Sequence, residues 1–169
     1  MPRFQKSVVI NRPIEAVFAY LTDVEQFKQR TMAFRAERSD IRFDGTGVYK
    51  LTEALPPPPL EQETDGPLHI GTIFRQKNGS PYQPIEATIQ IVEYEPDHCL
   101  AFTQTSDPLK GYVRWLLEPV TEGTKLTQTI EIELTGILAV LIALLARKSA
   151  QRNLNQDLLN LKQELEGRN

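Results

Sequence analysis

The clearest hydrophobic pattern lies in residues 136–167. An apolar run over residues 137–146 is followed by leucines spaced four, three and four residues apart. This spacing puts the leucines on one stripe of a helix, with polar residues on the other faces. The stripe consists of Leu154, Leu158, Leu161 and Leu165. The pattern therefore predicts a long C-terminal helix that needs an apolar surface to lie against.

The N-terminal pattern predicts one strand and two short helices. Residues 4–11 are rich in β-branched side chains and stop before a proline, which is typical of a strand. Pro13 suits the first position of a helix, and Thr22 and Asp23 can cap a second helix that ends near Arg30. We expect this helix pair to connect the first and second strands.

The pattern is weaker between residues 33 and 67. Residues 33–55 mix charge with alternation and predict one or two strands. The four prolines at positions 56–59 cannot donate to a sheet and favour an extended polyproline conformation. With the acidic residues 61–67 they predict a stiff surface connector, and a docking motif for an aromatic groove is the alternative.

Residues 69–134 predict a meander of antiparallel strands. Turn signals at Asn78-Gly79, Pro96-Asp97 and Glu122-Gly123 separate runs of alternating apolar and polar residues. The predicted strands cover residues 69–77, 83–95, 98–106, 110–120 and 124–134.

Strand register follows because apolar residues of paired strands must share a face. Two-residue loops place Ile91 opposite Phe102, Ile89 opposite Gln104, Thr72 opposite Ile85 and Trp115 opposite Ile130. On the outer face, Arg114 then pairs with Glu131, and Tyr94 and Tyr112 also lie there. The predicted inner face carries Ile70, Phe74, Ile89, Ile91, Phe102, Val113, Trp115, Leu117, Ile130 and Ile132.

These elements predict an α+β fold. A curved antiparallel sheet of about seven strands carries two short helices after its first strand, and the long C-terminal helix packs across it. With 169 residues and 40% hydrophobic content, the chain suits one domain over residues 1–169.

Composition and charge bear on the partner and on the compartment of the protein. The net charge of −3 comes from interspersed signs without a basic stripe, so nucleic acid is not expected as a partner. Cys99 is the single cysteine, which fits a reducing compartment, and the N-terminus lacks a secretory apolar region. We therefore expect a cytoplasmic protein.

The apolar run before the leucine stripe bears on membrane contact. Even when it is counted from Leu134, across Thr135 and Gly136, it covers 13 residues, 134–146, whereas a spanning helix needs about 20. We expect no transmembrane segment and interpret the run as a helix end buried in the protein or beside a cavity. Peripheral membrane contact or a subunit interface is the alternative, so the chain is a monomer or a homodimer.

The sequence resembles the START-like superfamily, also called SRPBCC, and most closely its polyketide cyclase/dehydrase-like bacterial branch. The matching segments are SVVINRPIEAVFAYLTD (7–23), VEYEPDHCL (92–100), WLLEPVTEGTKLTQTIEIELTG (115–136) and the closing LNQDLLNLKQELEG (154–167). Family members commonly carry a tryptophan after the second helix, where this chain has Phe27, Arg30 and Thr31.

The resemblance implies a helix-grip fold with a hydrophobic cavity between the sheet and the C-terminal helix. Such a cavity would hold a lipid, a sterol or a polyketide-like molecule. The superfamily includes carriers, cyclases, hydroxylase domains and chaperone-binding modules, so the resemblance does not define a reaction. It carries no family-wide catalytic motif onto this chain.

The candidate chemistry is sparse. His69 and His98 lie beside predicted turns, outside the interior where a general base would act, and no metal-ligand spacing, nucleophile elbow or phosphate loop is present. We therefore expect neither a metal nor a cofactor, and we assign no catalytic residue. Thr72, Gln104 and Gln128 are the polar residues on predicted inward positions.

The leading hypothesis is a carrier that binds a hydrophobic small molecule in the cavity. The alternatives are a metal-free enzyme of the cyclase or dehydratase type and a module that binds a protein or a membrane. The predicted cavity lining is Phe74, Ile89, Ile91, Phe102, Gln104, Val113, Trp115, Leu117, Gln128, Ile130, Leu138, Leu141 and Leu145.

Overall fold

The computed structural model describes residues 3–36, 41–43, 48–50, 60–80, 83–106, 109–134 and 136–167. The predicted proline connector at positions 56–59 lies outside the described residues, as does part of segment 33–55. In chain order the elements are β1 (Arg3–Ile10), α1 (Ile14–Thr22), α2 (Val24–Ala36), β2 (Ile41–Phe43), β3 (Val48–Lys50), β4 (Glu61–Gln62), β5 (Ile73–Ser80), β6 (Gln83–Glu95), β7 (Cys99–Ser106), β8 (Leu109–Val120), β9 (Gly123–Leu134) and α3 (Ile137–Glu166).

Seven strands form one antiparallel sheet in the order β1-β9-β8-β7-β6-β5-β4. The strands β2 and β3 pair with each other in a separate ribbon. The N-terminal strand closes the meander by pairing with β9, so that Phe4 lies opposite Ile130. The predicted α+β helix-grip fold is confirmed.

The hairpin between β6 and β7 confirms the predicted register over its outer part. Ile91 lies opposite Phe102, and Ile89 lies opposite Gln104. The register then shifts between Ile91 and Glu93. This irregularity turns Tyr94 to the core side, where its ring contacts Phe18 at a centroid distance of 5.4 Å. The prediction that Tyr94 lies on the outer face was wrong, because an extra residue in a strand reverses the faces that follow.

The hairpin between β8 and β9 differs from its prediction by two residues. Val120 pairs with Gly123, and Val113, not Trp115, lies opposite Ile130. A shift of two keeps every side chain on its face, so the inner positions were right although their partners were wrong. Arg114 consequently lies opposite Thr129 and forms its ion pair with Glu93 instead of Glu131.

Two predictions around β5 were also wrong. Asn78 and Gly79 lie within the strand, with Asn78 opposite Ile85, so the predicted pairing of Thr72 with Ile85 does not form. Ile70 precedes the strand and is 61% exposed, so it does not belong to the inner face.

Three helices cover the core side of the sheet. α1 buries Val17 and Leu21, and α2 begins where the Asp23 carboxylate accepts a hydrogen bond from the Gln26 amide at 3.0 Å. α2 continues past Arg30, where the sequence predicted its end, to Ala36. The leucine stripe of α3 is buried as predicted: Leu154, Leu158, Leu161 and Leu165 join the same apolar cluster as the inner sheet residues.

Gly123 is required where the chain leaving β1 passes the first residue of β9. Its φ is +140°, and a Cβ atom at this position would lie 2.2 Å from the Ile10 carbonyl oxygen and 2.9 Å from the Arg12 nitrogen. A side chain therefore cannot fit without moving backbone. The next residue, Thr124, donates its hydroxyl to the Arg12 carbonyl at 2.8 Å, which fixes the chain between β1 and α1.

Candidate ligand-binding pocket

A pocket of about 300 Å³ lies between the sheet, α2 and the second half of α3. Its floor is formed by inward residues of β7, β8 and β9, and its rim by polar residues of the two helices. The floor consists of Phe102, Gln104, Val113, Trp115, Gln128 and Ile130. The remaining wall and rim consist of Gln26, Gln29 and Arg30 from α2 and Asp157, Asn160, Leu161 and Glu164 from α3.

The six floor residues all belong to the lining predicted from sequence, and the structure brings them together in one pocket. Four other predicted residues do not line it. Phe74, Ile89, Ile91 and Leu117 are fully buried among the side chains of the apolar core cluster. They stabilise the core that supports the floor.

The residues of α3 that line the pocket lie in its second half, whereas the sequence predicted lining residues in its first half. The pocket is lined by residues between Asp157 and Glu164, whereas Leu141 is 53% exposed on the first half. The side chains of Leu138 and Leu145 lie outside the described residues. Their contact with a ligand stays a prediction.

An aromatic cluster supports the pocket floor from the α2 side. Phe27 is fully buried, and its ring lies 5.1 Å from Phe102, 5.2 Å from Phe74 and 6.2 Å from Trp115, measured between centroids. Phe102 and Trp115 also meet edge to face at 5.5 Å. These separations are within the range in which aromatic pairs attract. Phe27 thus anchors α2 to two residues of the pocket floor.

Two amides provide the polar groups of the floor. Gln128 is 9% exposed and lies beside Trp115 across the β8–β9 ladder. Among the described residues, its side chain has no hydrogen-bond partner. Gln104 lies beside Gly111, at the other end of the floor. Thr72, the third predicted inward residue, is buried outside the pocket, where its hydroxyl accepts a hydrogen bond from the His69 amide at 3.0 Å.

A three-residue link joins the helices at the rim. The Arg30 guanidinium bonds the Glu164 carboxylate at 3.2 Å and lies 5.4 Å from the centre of the Tyr20 ring. The Tyr20 hydroxyl donates to the same carboxylate oxygen. Burial, and then the hydrogen bond to Glu164, raises the pKa of Tyr20, so this phenol stays a donor at neutral pH. The link ties α1, α2 and α3 together.

Sequence reasoning missed this rim. Gln26, Gln29 and Arg30 recur at three- and four-residue spacing, which places them together on one face of α2. That spacing was the available signal. It could not show that α2 lies over the pocket, because the spacing of residues within a helix or a strand does not determine how the helix is oriented on the sheet.

A second polar cluster lies on the outer face of the sheet. The Glu93 carboxylate accepts hydrogen bonds from the Tyr112 hydroxyl at 2.7 Å, the Arg114 Nε at 3.1 Å and the Cys99 thiol at 3.3 Å. The bond from Tyr112 contributes most to lowering the pKa of Glu93. Burial raises the pKa of the Cys99 thiol to about 11, which leaves it protonated and unreactive at neutral pH. The cluster faces away from the pocket.

The described part of the chain offers no metal centre and no membrane span. No group of three or more histidine, cysteine, aspartate or glutamate side chains converges there. No helix in the same residues combines the length and the apolar character that crossing a membrane requires. The His98 ring lies 3.8 Å from Glu95 at the surface, away from the pocket.

Comparison with solved structures shows the same fold at low identity. A protein of Thermus thermophilus superimposes with a TM-score of 0.62 at 19% identity over 97% of each chain. A protein of Mesorhizobium loti gives 0.61 at 16% identity over 99% of each chain. DynU16, from the dynemicin biosynthetic locus, gives 0.56 at 17% identity over 97% of this chain and 47% of its own.

The family assignment rests on sequence. No curated protein matches the chain. The family model described as polyketide cyclase / dehydrase and lipid transport matches residues 1–166, which covers every element of the fold and every residue of the pocket. The chain therefore belongs to the polyketide cyclase/dehydrase and lipid transport family, and the resemblance drawn from its sequence segments is confirmed.

Proposed function

We propose that this protein binds a hydrophobic small molecule in the pocket between the sheet, α2 and α3. The observation that carries the proposal is the composition of the pocket, an apolar and aromatic floor with two amides and a polar rim. Such a combination is typical of small-molecule sites, where apolar walls provide affinity and a few polar groups fix orientation. Membership of a family described by lipid transport supports it.

Binding without reaction is favoured by where the titratable groups lie. The floor contains apolar side chains and amides, which do not transfer protons at neutral pH. Glu164 lines the rim, but its carboxylate already accepts hydrogen bonds from Tyr20 and Arg30, and its side chain is 55% exposed. A general base acts most efficiently when it can reach the substrate proton directly. Carriage is therefore the function that the geometry supports best.

A cyclase or dehydratase activity is the second candidate. Asp157 and Glu164 border the same pocket, so a ligand that reaches the rim would meet carboxylates. The family description and the biosynthetic locus of DynU16 favour this candidate. Incubation of a ketide substrate with wild-type protein and with Glu164→Gln and Asp157→Asn variants tests it. Product formation that both substitutions leave unchanged would remove these carboxylates from the reaction.

Trp115 provides a direct assay of binding, because it is the single tryptophan of the chain and lies in the pocket floor. Energy transfer from Trp115 to cis-parinaric acid, dehydroergosterol or an uncharged naphthyl ketone dye should report uptake. Organic extraction of purified protein followed by mass spectrometry should identify a ligand retained from the cell. Extracts that are reproducibly empty, together with no transfer to any of the three probes, would refute the proposal.

A pair of matched variants localises the signal. Val113→Phe fills the floor and should weaken probe binding by about tenfold or more, because the added ring occupies the space of the ligand. Val9→Phe makes the same chemical change on an exposed position of β1 and should leave binding unchanged. Equal effects of the two substitutions would place the binding site outside this pocket.

A further inference from the structure

We propose that the pocket selects a compact, uncharged ring compound whose inner end carries a carbonyl or hydroxyl oxygen, with Gln128 as the residue that recognises this oxygen. This inference rests on the proposed binding function and narrows the class of ligand. Three features of the pocket carry it: the state of the Gln128 amide, the charges of the rim, and the size and shape of the floor.

The Gln128 amide demands a polar partner. The side chain is nine-tenths buried in the pocket floor and has no hydrogen bond to any described residue. An apolar ligand that covered the amide would displace water from it without forming a hydrogen bond to it. An unsatisfied buried amide of this kind weakens binding by about tenfold or more. A ligand oxygen beside Trp115 would satisfy the amide instead. Plain hydrocarbon chains are therefore poor ligands for this floor.

The rim disfavours a negatively charged ligand. Among the side chains that the structure places around the pocket, Arg30 carries the positive charge, and its guanidinium is already bound to Glu164. Asp157 lies on the same rim. The Arg30 Nη2 bonds Glu164, whereas the Arg30 Nε is buried without a hydrogen-bond partner among the described residues, so Glu164 does not use every donor of the guanidinium. A ligand carboxylate would nevertheless add a third negative charge beside Asp157 and Glu164, against the positive charge of Arg30. An uncharged ligand avoids this repulsion.

Size and shape favour fused rings. A volume of about 300 Å³ is at the lower end of small-molecule pockets, which suits two or three rings better than a complete membrane lipid. Phe102 and Trp115 meet at 72° and present flat apolar surfaces on the floor. A planar ring can lie against such surfaces with little loss of internal freedom, whereas a flexible chain loses rotamer entropy on binding.

Three compounds with one ring skeleton test the inference: tetralin, 1-tetralone and tetralin-2-carboxylate. Equilibrium dialysis against wild-type protein at neutral pH should show 1-tetralone binding about tenfold or more tightly than tetralin. The carboxylate should bind more weakly than 1-tetralone. In Gln128→Leu, the preference for 1-tetralone over tetralin should fall to about twofold or less, because the replacement is of similar size and has no donor.

Two further variants keep the outcome clear. Gln90→Leu removes an exposed amide from the opposite face of the sheet and should retain the wild-type preference. Gln128→Asn keeps an amide on a shorter side chain and should also lose the preference, which provides the test if the leucine variant does not fold. Circular dichroism monitors folding.

The results distinguish a failure of the assigned ligand class from a failure of the proposed binding function. If the compounds bind but the preference for 1-tetralone is unchanged in both Gln128 variants, or if the carboxylate binds best to wild type, the assigned ligand class is wrong and the pocket remains a binding site. If wild-type protein binds none of these compounds and none of the larger apolar probes, the binding function itself is refuted.

Discussion

Truncation of Phe27 tests how the pocket is held together. Phe27→Ala removes a fully buried ring that contacts Phe74, Phe102 and Trp115 at centroid distances between 5.1 and 6.2 Å. Substitutions of buried phenylalanine by alanine generally cost about 3 to 5 kcal/mol, and each aromatic pair adds about 0.5 to 1.5 kcal/mol beyond area burial. Because the described residues alone include three ring neighbours of Phe27, we expect the upper part of the range, about 4 to 5 kcal/mol.

Two measurements check this expectation. In urea unfolding, the loss of stability should move the midpoint without changing the slope. In thermal unfolding, a domain of this size loses about 2 to 4 °C per kcal/mol, so the midpoint should fall by roughly 8 to 20 °C. Since Trp115 is the single tryptophan and loses a ring neighbour, its emission should also shift to longer wavelength in the folded variant.

Leu158→Ala is the matched control. Leu158 is buried in the same core but does not line the pocket, so its truncation should cost about 2 to 5 kcal/mol without a shift in Trp115 emission. If Phe27→Ala costs less than about 1 kcal/mol, or if Trp115 responds equally to both substitutions, Phe27 does not anchor α2 to the pocket floor.

Three other changes follow from single contacts. Leu158→Asp should unfold the protein, whereas Leu141→Asp should retain native circular dichroism because Leu141 is exposed, and equal unfolding would contradict this distinction. Gly123→Ala should cost about 3 kcal/mol or more in urea unfolding, because its Cβ would strike the β1 backbone, and a change below 1 kcal/mol would refute the close approach. The hydrogen bond from Tyr112 lowers the pKa of Glu93 in the folded protein. The stabilisation of the folded state by the ionised Glu93 carboxylate is therefore complete above about pH 4.5 and is lost as pH falls further. Glu93→Gln should therefore be destabilised relative to wild type at pH 7, by less than about 1 kcal/mol because Glu93 is 41% exposed, and the difference should shrink near pH 3.

The sheet could be predicted from the sequence because alternation determines the face of every side chain. Val113, Ile130 and Gln128 face the pocket as predicted, although the β8–β9 partners were displaced by two residues. The displacement arose because a glycine in a turn signal was assigned to the loop. Gly123 instead belongs to the ladder, where the backbone at the end of β1 leaves no room for a side chain, and that close approach is a tertiary contact absent from the local pattern.

Residues that depend on irregular geometry could not be predicted in this way. The bulge before Glu93 moved Tyr94 to the core side and brought Glu93 within reach of Tyr112 and Arg114 on the outer face. No residue type in that stretch marks an extra residue, because bulges depend on the twist of the whole sheet. The pocket rim was missed for a related reason, since it depends on where α2 crosses the sheet.

The position of the pocket along α3 changes what the leucine stripe does. The sequence predicted ligand contact at Leu138, Leu141 and Leu145 in the first half of the helix and packing by the leucine stripe in the second half. In the structure, Leu161 of this stripe belongs both to the buried core and to the pocket wall, and Glu164 lies one turn further along on the rim. The residues that fasten the helix to the sheet therefore also shape the site. A substitution of Leu161 should change stability and ligand affinity together, which makes floor positions such as Gln128 the better places to alter binding alone.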